Sequence, residues 1–166
     1  MLFPPTGNLL VNGDFEEDSP GTSPEGWESE NVRVGDKNSA FTGERAALLG
    51  ICDPCEPAIL YQDVTVVPLR RYQLVFQLSG LGRKATDLIA EVRWLDSGCT
   101  DMGLGLRVSI DGSAIGEICE CAWNPQSHIT DCAPIGACMA RVLFIRAGKR
   151  DSDATILDAV SFAGVC

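Results

Sequence analysis

The sequence predicts an all-β fold, a sandwich of two antiparallel sheets built from about nine or ten short strands. Apolar residues recur at every second position in short segments. Gly, Pro, Asn and Asp punctuate the chain between those segments, and no 3.6-residue period lasts beyond a turn or two.

Residues 1–7 read as an extended arm, because Pro4 and Pro5 cannot donate to a ladder. Leu2 and Phe3 make this arm apolar, which suits a segment packed against something else. The stretch Asn8-Leu9-Leu10-Val11-Asn12-Gly13-Asp14-Phe15-Glu16 reads as a first strand that turns a corner and delivers a carboxylate. Residues 17–31 are a polar loop broken by Pro and Gly, with Trp27 as the plug that pins it to the sandwich edge. Val32-Arg33-Val34 and Ala46 to Gly50 are short strands on either side of a turn-rich loop, Asp36 to Gly43, and Ile51 to Pro57 is a proline-stiffened insertion.

Ile59 to Val67 alternates into a strand. In Tyr72 to Leu78 the set Tyr72, Leu74, Phe76 and Leu78 faces one way, leaving Gln73, Val75 and Gln77 to the other. Strands are predicted again over Leu88 to Leu95 and Leu104 to Ile110. Asp111-Gly112 is a hairpin signal leading to a strand from near Ala114 to Trp123. Residues 124–138 are irregular, Met139 to Ala147 is a strand, and Gly148 to Asp153 is a charged turn. Thr155 to Phe162 is the last strand, expected to pair with the first so that Glu16 meets Asp158.

A chain of 166 residues is predicted to hold one sandwich domain, residues 8–166, behind the arm. Thirteen Lys plus Arg against twenty-three Asp plus Glu give a net charge of -10, which disfavours a phosphate-backbone partner. Arg70-Arg71 and Arg83-Lys84 read as solvated strand ends. No apolar stretch approaches the roughly 20 residues that cross a bilayer. The opening residues lack the basic and apolar regions of a signal peptide. The expectation is a protein whose signal has been removed, or one that reaches a surface by another route, such as assembly onto a spore inside a mother cell.

Cys52, Cys55, Cys99, Cys119, Cys121, Cys132, Cys138 and Cys166 form an even set of eight, which points to disulfides and an oxidising destination. On a strand, Cys119 and Cys121 would share one face and each need another partner. Cys166, as the last residue, is placed to reach a neighbouring molecule.

The segments Asn8 to Glu16, Gly26-Trp27, Tyr61-Gln62-Asp63-Val64-Thr65-Val66-Val67-Pro68, Tyr72 to Phe76, Trp94-Leu95-Asp96 and Leu157 to Phe162 carry a resemblance. Together they resemble the jelly-roll superfamily of carbohydrate-binding modules, families 4, 9 and 22 among them. The same order is similar to the globular domain that opens collagen-like surface proteins of Firmicutes. The resemblance implies a jelly roll and a structural calcium held by Glu16 and Asp158, with carbonyls from the Asp36 to Gly43 loop. One acid of the pair often seen in the last strand is replaced here by Ala159. The competing expectation is a hydrogen-bonded Asp and Glu that close the sandwich without metal.

Catalysis finds little support in the residue pattern. His128 is the only histidine and has no nucleophile motif around it. Glu91 and Asp63 are acids on strands, common in an acidic protein, and nothing fixes the spacing that glycoside hydrolysis requires. Gly80-Leu81-Gly82-Arg83-Lys84 lacks the spacing of a phosphate loop, and Cys52-x-x-Cys55 lacks a matching second pair for zinc.

Two functions remain. One is a non-catalytic structural or adhesive surface subunit that polymerises with itself through the Leu2-Phe3 arm and cysteines. The other is a module binding polysaccharide on a sheet face, with Tyr61, Gln62, Gln73, Gln77, Arg93, Trp94 and Trp123 as the candidate contact set. Both place the protein outside the cell or on a cell or spore surface.

Overall fold

The computed structural model describes residues 7–165, so the expectations for Leu2, Phe3 and Cys166 lie outside the described residues. The strands are β1 (Glu28–Glu30), β2 (Val32–Val34), β3 (Ala47–Leu49), β4 (Ala58–Thr65), β5 (Arg71–Gly80), β6 (Leu88–Leu95), β7 (Asp101–Ile110), β8 (Asn124–Ile129), β9 (Met139–Arg146) and β10 (Thr155–Val165). They form two five-stranded antiparallel sheets. A front sheet runs β1-β4-β9-β6-β7 and a back sheet β2-β3-β10-β5-β8. The predicted jelly-roll sandwich is therefore the observed architecture.

Strand alternation builds the core between the sheets. β4 and β9 bury every second residue, and β5 does the same over most of its length. From the front sheet come Leu60, Ala90, Val92, Val142 and Phe144; from the back, Leu74, Phe76, Leu78 and Phe162. Phe76 meets Phe144 edge-on at 5.1 Å, and Tyr72 stacks on Phe162 at 5.1 Å. The buried Tyr72 hydroxyl accepts a hydrogen bond from Val67 N at 2.8 Å. Trp27 closes one edge as predicted, lying 5.7 Å from Phe15 and donating its indole N–H to the Asn12 carbonyl.

Several expectations need correction. Residues 8–16 are not a strand but a series of bends and turns. Asn12 and Phe15 adopt left-handed backbone (φ 51° and 60°), and a Cβ at Gly13 would collide with the Val160 carbonyl. The segment still lies along β10 as expected, with a side chain doing part of the ladder's work. Asn8 Oδ1 accepts from Phe162 N, Asn8 Nδ2 donates to Val160 O, and Leu9 N donates to Phe162 O.

The region after Asp111 is not the predicted strand. Two 3-10 turns, Gly112–Ala114 and Ile118–Glu120, fold it over the end of β5, where Ser79 Oγ donates to Ala122 O. Cys121 is left-handed (φ 55°), so Cys119 and Cys121 are not strand neighbours on one face. The strand lies instead at Asn124–Ile129, inside the stretch expected to be irregular, where it pairs with β5. Its composition hid it, since Asn124, Pro125, Gln126, Ser127 and His128 are polar or ladder-breaking, a content that only an edge strand tolerates.

Trp94, expected among the contact residues, is 2% exposed and belongs to the core. It packs under Gly105, where an added Cβ would lie 2.5 Å from the indole. Register shifts between β6 and β7 surround this contact, and Leu104 beside it is exposed.

Candidate functional site

The outer face of the front sheet gathers the polar side chains that β4, β9 and β6 do not bury. Cross-strand pairing aligns them in rows. Tyr61 lies beside Leu143, Leu143 beside Glu91 and Glu91 beside Arg107. In the next row Asp63 lies beside Arg141 and Arg141 beside Arg93. Ile59, Ile145 and Ile89 form an apolar row on the other side of Tyr61 and Glu91.

Side-chain bonds lock this arrangement. Asp63 receives a bidentate pair from Arg141, Nε to Oδ1 at 2.8 Å and Nη2 to Oδ2 at 2.9 Å. The same guanidinium lies 4.2 Å over the Tyr61 ring. Arg93 donates to Asp101 at 2.8 Å and sits 2.9 Å from Glu91 Oε2. That second contact is an ion pair to a residue only 4% exposed, so Glu91 helps hold the Arg93 guanidinium in place. Hydrogen bonding to Asp63 raises the affinity of Arg141 for its proton, and hydrogen bonding to Asp101 does the same for Arg93. Asp101 is held below the usual carboxylate range, first by the Gly103 N–H and then by Arg93.

Such a face offers guanidinium donors, the exposed Asp101 carboxylate as an acceptor, and a ring within a few strand spacings. A sugar needs that combination, because its hydroxyls both donate and accept while its C–H face stacks on a flat π surface. Among the residues predicted as contacts, Tyr61 and Arg93 are brought together here. Gln62 is buried and ties β4 to Val11 through both its amide atoms. Gln73 and Gln77 lie on the outer face of the back sheet, as alternation predicted, with Gln73 Nε2 bonded to Ser127 Oγ. Trp123 is half-buried against Phe41, ring centroids 5.1 Å apart, on the back side of the molecule. The predicted set is thus divided between two sheets and the core. Sequence reasoning missed Arg141 and weighed Glu91 only as an acid for hydrolysis. Asp63 and Arg141 are 78 residues apart, and no spacing rule connects them.

Glu16 and Asp158 do converge, and what they share is the segment 41–45. Asp158 Oδ2 accepts from the N–H groups of Phe41 and Thr42, and Asp158 Oδ1 from Ala159 N. Glu16 Oε1 accepts from Glu44 N and Arg45 N. Burial pushes the Asp158 carboxyl up to about 6, its amide donors pull it down, and the Glu16 charge raises it further. Calcium asks for six to eight oxygen ligands. Here backbone N–H groups point at three of the four carboxylate oxygens, two of them served by the loop and one by Ala159, so these residues fit a hydrogen-bonded clasp and not a calcium cage.

Cys52, Cys55, Cys99, Cys119, Cys121, Cys132 and Cys138 are all exposed, and none is in a disulfide. The strand pairing places them at opposite ends. Cys52 and Cys55 lie in the β3–β4 connection, where Lys149 N donates to Pro54 O, and Cys119 and Cys121 lie in the connection whose Gly116 O accepts from Gly80 N. At the other end Cys99 is in the β6–β7 turn, and Cys132 and Cys138 are in the β8–β9 connection, where Cys138 N donates to Leu95 O.

No family model and no curated protein matches the chain. Solved structures do. The enzymatically active domain of tailspike protein 4 from bacteriophage CBA120 superposes with a TM-score of 0.74 at 18% identity, over 95% of this chain and 21% of that one. This chain therefore spans about a fifth of the tailspike polypeptide. A family 16 carbohydrate-binding module gives 0.65 at 17% identity, covering 94% of this chain and 99% of that one. The module TmCBM61, solved with β-1,4-galactotriose, gives 0.65 at 18% identity, covering 95% and 99%. The fold is the jelly roll of carbohydrate-binding modules.

Proposed function

We propose that this chain is a non-catalytic polysaccharide-binding module whose ligand lies across the outer face of the front sheet, over Tyr61, Glu91, Arg93 and Arg141. The observation that carries the reading is the locked array of guanidinium groups, ring and carboxylates on the outer face of that sheet. The whole-length likeness to carbohydrate-binding modules supports it through the fold. Modules of this kind work outside the cell, and the described residues contain no helix long and apolar enough to cross a membrane. Affinity electrophoresis against soluble β-glucan, xylan and β-1,4-galactan tests the reading. Retardation is expected in at least one gel, weakened about tenfold or more by Tyr61→Ala, a loss of roughly 1.4 kcal/mol. Free migration in every gel, or equal retardation of the variant, overturns it.

A second reading, a surface subunit that cross-links to itself, is favoured by the exposed cysteines at opposite ends. The chain enters near Phe162, and β10 finishes beside Arg71, at the same end as Cys99, Cys132 and Cys138. Joining one end to the other between molecules would run head to tail. Each bond would form from two thiols with loss of two protons and two electrons to an oxidant such as dioxygen. The Leu2-Phe3 arm would then contribute an apolar grip to the joint. Oxidised protein is expected to give a ladder on a non-reducing gel that collapses with reductant, and monomer alone ends this reading.

A further inference from the structure

Two connections at the Cys52–Cys55 end enclose a cleft of about 480 Å³, lined by Lys84, Ala85, Lys149, Arg150, Asp151 and Ser152. Its walls are tied together by the backbone: Lys84 N donates to Asp153 Oδ2 at 2.9 Å, and Asp153 N donates to Lys84 O at 2.9 Å. The three cations on its rim stand out in a chain of net charge -10. Bonded to the lining residue Ser152 is a further positive charge. Arg146 is 0% exposed, with Nη1 on the Pro54 carbonyl and Nη2 on Ser152 Oγ and the Asp153 carbonyl. Its Nε has no partner, and it makes no ion pair among the described residues.

The acids nearby offset this field only in part: two carboxylates, Asp151 and Asp153, stand against four cations, and Asp153 attracts the Arg146 charge. Asp151 lies 3.8 Å from Arg150 at the exposed rim, and Asp153 has one oxygen occupied by the Lys84 amide. Arg83 is held outward by Glu117 at 3.2 Å and takes no part. A buried guanidinium with only a partial counter-charge favours the approach of further negative charge, and a cleft with low-dielectric walls focuses that attraction. We propose that this cleft, in the β5–β6 and β9–β10 connections and apart from the outer face that carries Tyr61, binds a multiply charged oxyanion, a phosphate ester or a polycarboxylate.

Titration of the ¹⁵N-labelled full chain with inorganic pyrophosphate, with citrate, and with sodium chloride at matched ionic strength tests this and separates the two oxyanion classes. Saturable shifts of the Lys84, Lys149, Arg150 and Ser152 amides are expected with pyrophosphate, with citrate or with both, and not with chloride. The variant Lys84→Ala/Lys149→Ala/Arg150→Ala changes only exposed side chains. It should keep its melting temperature and bind about tenfold more weakly or worse, since each exposed charge contributes a factor of a few. Equal shifts with chloride, no saturation with either oxyanion, or undiminished binding by the variant overturns the proposal. None of these outcomes bears on the glycan gels.

Discussion

Alanine at Phe144 is expected to lower the stability of the protein by about 3–5 kcal/mol, the usual cost of truncating a fully buried aromatic ring. Phe144 lies at the centre of β9, 0% exposed, and touches both layers of the sandwich. It meets Phe76 of the back sheet edge-on and lies 6.5 Å from Trp27, the plug of the long polar loop. Neighbouring strands in a ladder cannot move inward to fill such a hole without breaking pairing on both sides, so collapse recovers little. Its Cα partners are Leu60 on β4 and Ala90 on β6, both core residues with no volume to spare. Urea denaturation of Phe144→Ala against the parent checks the value, and a loss under about 1 kcal/mol would mean the ring does not bridge the sheets. The outer-face substitution Tyr61→Ala should cost far less stability, which lets the binding measurement be read on folded protein.

The sandwich was legible because period-2 alternation survives intact where both partners of a strand are strands. β4, β5 and β9 each show it, and the pattern alone placed Phe76 inward and Gln73 and Gln77 outward. It failed where other bonds replace the ladder. At residues 8–16 the Asn8 amide stands in for backbone pairing, so an apolar run resembling a strand folds as turns. At Asn124–Ile129 an edge position tolerates residues that a central strand would reject.

The candidate site was harder to read. Which acid finds which arginine depends on register between strands far apart in sequence, and Asp63 could pair with Arg141 only once β4 and β9 were aligned. Lys84, Lys149 and Arg150 posed the same difficulty. Read along the chain they are two unrelated turn fragments; the β5–β6 and β9–β10 connections bring them to one cleft. The Glu16 and Asp158 pairing could be foreseen because the first and last segments were expected to adjoin, whereas the N–H orientation of the loop between them carries no sequence signature.

Asp158 should make the stability of the fold depend on pH in a direction opposite to that of an ordinary salt-bridged carboxylate. Its folded-state pKa is raised to about 6, mainly by burial, against about 3.9 for an unfolded aspartate. Between those values the unfolded chain has released the proton while the folded chain still holds it. The stabilisation this group provides is therefore fully present below about pH 4 and is lost as pH rises through about 6. Asp158→Asn removes the titration, so the melting temperature of the variant relative to the parent should shift in the variant's favour from pH 4 to pH 7. Comparing the two proteins at each pH cancels the other carboxylates, Asp101 and Asp111 included, whose lowered values act in the opposite sense. Asp158→Ala should instead be destabilised at every pH, by on the order of 3 kcal/mol, because Phe41, Thr42 and Ala159 lose their acceptor. A pH-independent difference between Asp158→Asn and the parent would show that folding does not raise the pKa of this carboxyl. Calcium separates the clasp from a metal site in the same experiment. With the carboxylates already bonded to amides, excess chelator and added calcium should both leave the parent melting temperature unchanged at pH 7. A calcium-dependent rise that Glu16→Gln abolishes would instead make the pair metal ligands, since a bound cation would stabilise the ionised Asp158 and flatten its pH dependence.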